Sequence, residues 1–231
     1  MNWLIVVAGG KGERTGLGFN KIFAKLNNFP LIYWTLKIFE ENKIIDNIVI
    51  SARKKDIKKI KTIIAKYKFK KIKEIIEAGN SRQDSTFAVL KLLRSKMKKD
   101  DFVGIHNAVN PFVTQGEIEK VYANAKKYGA ALLAYPAKDT VKIASKNGLV
   151  DETPLRENCW YAQTPQVVSF ANLWSAFLKA NKQHFVGTDD TQLLERIGIK
   201  PKVVPCSYQN IKITFPEDLI VAKQILKKFH V

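Results

Sequence analysis

Short apolar runs alternate with longer amphipathic segments along most of this chain. Trp3 to Val7 is an apolar run that reads as a buried first strand. Pro30 to Glu41 reads as a helix, with Leu31, Trp34, Leu36 and Phe39 apolar. The same pattern predicts a strand over Ile45–Ser51, a helix over Lys54–Tyr67, a short strand over Lys73–Glu77 and a helix from about Ser85 to Leu93. Phe102 to Ile105 predicts a strand ending at His106-Asn107, followed by a helix over Gly116–Tyr128 and a strand over Ala130–Tyr135. Further on, Phe170–Ala180 and Asp190–Ile197 read as helices and Lys202–Pro205 as a strand. Thr214-Phe215-Pro216-Glu217-Asp218 then opens a last helix, running to about Phe229, with proline and acidic residues in its first turn. This rhythm predicts an α/β fold: a Rossmann-like, mostly parallel sheet flanked by helices.

The rhythm breaks between about Lys138 and Tyr161. Thr140-Val141-Lys142-Ile143 and the region around Leu149 read as short strands about the turn Lys146-Asn147-Gly148. They predict a small protruding β-arm at about residues 138–160. Such hairpins are marginal alone, so the arm is expected to pack on a second subunit. No internal repeat or low-complexity linker divides the chain, and residues 1–231 read as a single domain.

Composition narrows the class. A chain of 231 residues with 46% hydrophobic content can bury a substantial core. No apolar run approaches the roughly 18–20 residues of a membrane span, so no membrane partner is expected. The chain enters a strand at once, which predicts neither a signal nor a transit peptide. Cys159 and Cys206 lack metal-ligand spacing and imply no disulfide framework, pointing to the cytoplasm. The formal charge of +18 raises nucleic-acid binding as a class. Yet the lysines at 54, 55, 58, 59, 61 and 66 are interleaved with Ile57, Ile60, Ile63 and Ile64, which is the pattern of a solvated amphipathic helix. No recognition helix, zinc knuckle or aromatic RNA-binding signature accompanies them, so no specific nucleic-acid partner is expected. The excess charge helps to attract anionic substrates.

The candidate chemistry begins at Val6-Val7-Ala8-Gly9-Gly10-Lys11-Gly12-Glu13-Arg14-Thr15-Gly16, with Lys21 close behind. Glycines where a strand becomes a loop let backbone N–H groups approach an anion, and Arg14 and Lys21 add fixed positive charge. The plain alternative is a glycine-rich turn with surface charges. A P-loop needs Gly, four residues, then Gly-Lys-Ser/Thr, and no register supplies it. A dinucleotide fingerprint fails too, because Thr15 stands where the third glycine belongs and no acidic residue closes the second strand at Ile50-Ser51. A nucleotidyltransferase signature, strand then Ala-Gly-Gly-x-Gly-x-Arg with a later lysine, fits residue by residue.

Further motifs follow in order: Gly79-Asn80-Ser81-Arg82-Gln83-Asp84-Ser85, His106-Asn107-Ala108-Val109-Asn110-Pro111-Phe112 and Lys138-Asp139-Thr140-Val141-Lys142. Then come Arg156-Glu157-Asn158-Cys159-Trp160-Tyr161-Ala162-Gln163-Thr164-Pro165-Gln166, Thr188-Asp189-Asp190 and Asn210-Ile211-Lys212-Ile213-Thr214-Phe215-Pro216-Glu217-Asp218-Leu219. Together they resemble the 2-C-methyl-D-erythritol 4-phosphate cytidylyltransferases of the non-mevalonate isoprenoid route, over essentially the whole chain. The resemblance implies attack of the sugar-alcohol phosphate on the α-phosphorus of CTP, release of pyrophosphate, assistance by Mg²⁺, and a homodimer joined through the arm.

It also implies roles. Arg14, Lys21 and Lys212 would act at the reacting phosphorus. Ala8, Gly9, Gly10, Gly12, Gly79, Asn80, Arg82 and Ser85 would bind CTP, although the 79–85 stretch reads equally as a helix N-cap through Ser81 or Asp84. Thr140, Arg156, Thr188 and Lys212 would hold the alcohol phosphate. His106 reads as the end of a strand rather than a base, since the attacking phosphate is already an anion. Two departures stand out. The usual His-Asp-Ala-Ala-Arg-Pro is His106-Asn107-Ala108-Val109-Asn110-Pro111, so the Mg²⁺ position falls to Asn107, a neutral oxygen that weakens a hard-cation site. The usual Pro-Lys-Gln is Asn20-Lys21-Ile22. Two rival readings remain at this level: a ribitol 5-phosphate cytidylyltransferase, and a catalytically weak relative that binds nucleotide or RNA.

Overall fold

The computed structural model describes residues 1–10 and 19–228; Gly12 and Arg14 lie outside the described residues. Strand β1 (Asn2–Ala8) is followed in the described residues by a 3-10 turn at Lys21–Phe23 and the two-residue strands β2 (Lys25–Leu26) and β3 (Phe29–Pro30). Then come α1 (Leu31–Glu41), β4 (Asn47–Ala52), α2 (Lys54–Tyr67), β5 (Ile72–Glu77), α3 (Arg82–Leu93), β6 (Phe102–Asn107), α4 (Gln115–Tyr128) and β7 (Ala130–Pro136). A small hairpin of β8 (Ile143–Ala144) and β9 (Val150–Glu152) precedes β10 (Trp160–Ser169), α5 (Phe170–Lys182), α6 (Gln192–Glu195), β11 (Lys202–Pro205) and α7 (Pro216–Lys228).

Seven strands make one sheet in the order β11-β7-β10-β6-β1-β4-β5. Parallel pairing joins β1 to β4 and β6, β4 to β5, and β7 to β11, while β10 runs antiparallel to both β6 and β7. The alternation of side chains along each strand divides the core in two. Leu4, Val6 and Ala8 of β1 point to one face with Ile48 and Ile50 of β4, beneath α1, α2, α4 and α7. Trp3 and Ile5 point to the other with Val49, Val103 and Ile105, beneath α3, α5 and α6. Because β1 is buried on both faces, its sequence is a continuous apolar run rather than an alternating one. Helix α2 shows the expected division: Ile60 and Ile63 are buried, and the lysines at 54, 55, 58, 59, 61 and 66 are exposed.

Helix ends follow local chemistry. Ser81 and Asp84 form a capping box at α3, and Thr114 and Glu117 form one at α4. Gly129, at φ 83°, closes α4 with its N–H on the Ala125 carbonyl at 2.8 Å, a left-handed position that favours glycine.

Three expectations are corrected. Strand β10 is absent from the sequence reading, because Gln163-Thr164-Pro165-Gln166 interrupts any apolar alternation; the structure accommodates these residues as a register shift between Ala162 and Gln166. The helix expected over Asp190–Ile197 shrinks to Gln192–Glu195, since Asp189 and Asp190 are held by Gln166 instead. The arm strand expected from Thr140 to Ile143 is confined to Ile143–Ala144 opposite Val150–Glu152, with Ile143, Leu149, Val150 and Leu155 exposed.

His106 lies fully buried on β6, its Nε2 2.8 Å from the Asn110 carbonyl and its ring edge-on to Phe39. Burial disfavours the imidazolium and pulls its pKa down to about 4, against the opposing Asn110 hydrogen bond. With an unfolded value near 6.5, the neutral ring contributes its full stability above that pH, and this is lost as the pH falls toward 4. The loss approaches about 3 kcal/mol. Urea denaturation at pH 7, 6, 5 and 4.5 should show this fall in the native protein, and His106→Gln should flatten it.

Candidate active site

The chain runs from β1 through α1 to β4 on one side of β1, and reaches β6, on the other side, only after β5 and α3. Strand order therefore reverses at β1 and β6. In open α/β sheets a crevice forms beyond the carboxyl ends of strands at such a point. Val7 pairs with Asn107 in the β1–β6 register, so both strands end together. A cavity of about 430 Å³ opens there.

Its wall is assembled from segments distant in sequence. The end of β1 supplies Ala8, Gly9 and Gly10; the 3-10 turn supplies Asn20 and Lys21; the start of α3 and its preceding turn supply Gly79, Asn80, Arg82 and Ser85. Asn107 closes it at β6, and Lys212 comes from the segment between β11 and α7. The glycine-rich, 79–85, 106–112 and 210–219 motifs thus meet on one cavity.

The glycines differ in why they are needed. A Cβ on Gly9 would lie 2.6 Å from the Ala78 Cβ, and one on Gly79 would lie 2.5 Å from the Asp84 Cβ. The first lets the turn before α3 press against the end of β1, and the second lets that turn fold closely onto the first turn of α3. A Cβ on Gly10 would meet no described atom within 4 Å. Gly10 itself lines the cavity, so the backbone there is open to a close approach. In the turn itself, Ser81 Oγ accepts from the Asp84 N–H at 3.0 Å and Ser85 Oγ donates to the Ser81 carbonyl at 2.7 Å. The helix-cap and cavity-wall readings of residues 79–85 hold together.

The electrostatics are one-sided. Lys21, Arg82 and Lys212 line the cavity, and none of its described wall residues is a carboxylate. Lys21 is largely buried, at 8% exposure, whereas Lys212 is exposed. The Arg82 guanidinium meets Asp190 Oδ2 at 2.5 Å behind the wall. Burial pushes the Asp190 carboxyl above the usual carboxylate range, with Arg82 pulling the other way.

Asn107 sits in a net of neutral amides. Its Nδ2 donates to Asn110 Oδ1 at 3.1 Å and to Thr164 Oγ1 at 3.4 Å, and its Oδ1 accepts from Arg82 Nε at 3.5 Å. A hard divalent cation seeks several oxygens, preferably carboxylates. Here Asn107 offers an amide oxygen that faces a guanidinium, no described wall residue is a carboxylate, and no group of three His, Cys, Asp or Glu suited to a metal occurs among the described residues. The described wall does not fit a protein-held Mg²⁺.

Other expected residues lie apart. Thr140, Arg156 and Thr188 are exposed, and none lines this cavity. Arg156 borders a separate hollow of about 270 Å³ with Pro136, Ala137, Leu155 and Glu157. Thr188 is tied by its N–H and Oγ1 to Gln192 Oε1. The sequence reading gave no role to three residues that hold this region. Gln166 donates to Asp189 Oδ2 at 2.7 Å and accepts from the Asp190 N–H at 3.1 Å. Gln83 donates to the Phe185 carbonyl and accepts from the Gly187 N–H, both at 3.0 Å. Thr164 accepts from Asn107. All three stand inside the 79–85 and 156–166 motifs, but only the folded contacts reveal what they hold.

The contrast between the two glycines is testable. Gly9→Ala should destabilise the fold by about 1–3 kcal/mol through overpacking. Gly10→Ala should leave stability within about 0.5 kcal/mol while weakening CTP binding about tenfold. Urea denaturation and calorimetric titration measure the two effects separately.

Comparison with known proteins agrees with this geometry. The family model for 2-C-methyl-D-erythritol 4-phosphate cytidylyltransferase (IspD) matches residues 3–228. The 2-C-methyl-D-erythritol 4-phosphate cytidylyltransferase of Alkaliphilus oremlandii is 39% identical over 225 residues, 97% of this chain and 94% of the relative. That of Clostridium botulinum (strain Loch Maree / Type A3) is 40% identical over 227 residues, covering 98% of each chain. Among solved structures, the 4-diphosphocytidyl-2C-methyl-D-erythritol synthase of Anaerococcus prevotii superposes with a TM-score of 0.86 at 31% identity, covering 98% of this chain and 96% of the other. With four of its motifs gathered on one cavity and the family model matched over residues 3–228, the chain belongs to the 2-C-methyl-D-erythritol 4-phosphate cytidylyltransferase family.

Proposed function

We propose that this chain transfers the cytidylyl group of CTP to 2-C-methyl-D-erythritol 4-phosphate. A phosphate oxygen of the alcohol attacks the α-phosphorus, the bond to the β-phosphate breaks, and pyrophosphate leaves with that electron pair. The observation that carries the reading is the gathering of Lys21, Arg82 and Lys212, with Gly9 and Gly10, about one cavity free of carboxylates among its described wall residues. Such a transfer needs alignment and neutralisation of charge on the transition-state oxygens more than covalent help.

Lys21 and Lys212 neutralise charge at the reacting phosphorus, with Arg14 as a third cation of the glycine-rich loop. Ala8, Gly9 and Gly10 approach the triphosphate through their backbone, the same role is proposed for Gly12 outside the described residues, and Gly79, Asn80, Arg82 and Ser85 form the pyrimidine end of the cavity. No general base is required. His106 is not offered as one, being buried with Nε2 on the Asn110 carbonyl. Magnesium enters with the triphosphate as part of the substrate, consistent with a described wall that does not fit a resident ion.

The exposed positions of Thr140 and Arg156 suit a homodimer. The arm at about 138–160 carries both, together with exposed Ile143, Leu149 and Val150. Packed against a second copy, the arm would bury these apolar side chains and offer Thr140 and Arg156 to the alcohol phosphate, with Thr188 and Lys212 completing that subsite. No helix of the described residues is long and apolar enough to cross a membrane, and the cytoplasm is the proposed location. Residues 1–231 act as a single nucleotidyltransferase domain on this reading. Family membership favours neither ribitol 5-phosphate as acceptor nor a binding role without turnover.

Pyrophosphate release from purified protein with CTP and Mg²⁺ should appear with methylerythritol phosphate and not with ribitol 5-phosphate. Release with ribitol phosphate alone would reassign the acceptor. Lys21→Ala should lower kcat on the order of 10²–10³-fold, as loss of a transition-state donor does, with KM for CTP within about threefold. An undiminished kcat would remove Lys21 from the reacting centre.

A further inference from the structure

Lys21 stands in a short turn whose geometry is fixed from both sides. On its C-terminal side Ile22 and Phe23 are buried in the core, at 2% and 9% exposure, and Lys59 Nζ lies 4.2 Å from the Phe23 ring centre. On its N-terminal side stands Asn20, at φ −66° and ψ 120°, with 3% of its surface exposed. Its amide makes contacts in three directions. Nδ2 donates to Asp56 Oδ2 at 2.8 Å and to the Ala8 carbonyl at 3.4 Å, and Oδ1 accepts from the Ile22 N–H at 3.3 Å. Asp56 is itself held by Arg53 Nε at 2.8 Å and belongs to the first turn of α2.

We propose that Asn20 is a positioning residue for Lys21, doing by hydrogen bonding what a proline does by ring closure. The observed φ of −66° is close to the value a pyrrolidine ring imposes, near −65°. An asparagine fixes no dihedral covalently. Here its side chain spans the end of β1, the start of α2 and the turn itself, so the backbone entering Lys21 keeps one conformation. The Ala8 contact ties that conformation to the strand end that forms the cavity floor. The partner Asp56 does not line the cavity, so its carboxylate supports the turn from behind without facing an anionic substrate.

The proposal rests on the reading of Lys21 as a transition-state cation, and the experiment separates the two. Steady-state kinetics and thermal melting are measured for Asn20→Ala, Asn20→Pro and Lys21→Ala in the full chain. Asn20→Ala should lower kcat by about tenfold to a hundredfold with KM for CTP within twofold, because binding geometry survives while the cation wanders. Asn20→Pro should restore kcat to within about threefold of the native enzyme. That recovery distinguishes fixing of the turn from mere loss of stability, since proline restores the dihedral and none of the amide's hydrogen bonds. If Asn20→Ala keeps native kcat while Lys21→Ala does not, the positioning role falls and the Lys21 reading stands. If Asn20→Ala raises KM for CTP at unchanged kcat, Asn20 is a ligand contact and the proposal is overturned. If Asn20→Pro is as slow as Asn20→Ala, fixing of φ is not what Lys21 needs, and the proposal falls. Undiminished turnover in Lys21→Ala would overturn both readings together.

Discussion

Where β1 stops decides everything at this site. The strand is paired in parallel on both sides, Val7 opposite Asn107 of β6 and Ala8 opposite Ala52 of β4. With both edges satisfied and both faces buried, the chain can leave the sheet only at the carboxyl end, into the gap where strand order reverses. Gly9 turns there against Ala78, and the start of α3 is drawn into the same space. A shift of one residue in the β1–β6 register would move Asn107 off the cavity and turn Leu4 and Val6 toward the wrong layer.

Charge is distributed around that gap with a consistent logic. The described cavity wall carries cations and neutral amides, while the carboxylates that stabilise them stand behind it. Asp190, buried, meets Arg82; Asp56 holds Arg53 and Asn20; Asp84 caps α3. Each acid thereby fixes a turn or a cation without presenting negative charge to an incoming polyphosphate. Coulomb repulsion at short range in a partly desolvated cleft is worth several kcal/mol, so placing the acids one layer back protects binding. Asn107 and Asn110 fit the same logic, since the two amides bond to each other and place no charged group at the end of β6.

Much of the fold was legible because its periods are clean. Lys54–Tyr67 and Lys202–Pro205 coincide with α2 and β11 at both ends, for α2 has a strict apolar stripe and β11 is bounded by prolines and charge. Strand β10 was not legible. Its middle carries Gln163, Thr164, Pro165 and Gln166, which look like a loop until their partners are known: Asn107 for Thr164, and Asp189 with Asp190 for Gln166. The helix expected from Asp190 failed for the complementary reason. Its first residues were already bound elsewhere.

The sequence by itself determined the layered α/β architecture and most of the residues that meet at the cavity, because hydrophobic period and short motifs are local properties. Tertiary structure decided what those residues do to one another. It paired Arg82 with a buried aspartate from a loop over a hundred positions away, gave Asn20 three partners, and left Thr140 and Arg156 on an exposed arm away from their own cavity. These outcomes depend on which strand ends lie side by side. That is a matter of sheet order and crossover, and no local pattern in the chain encodes it.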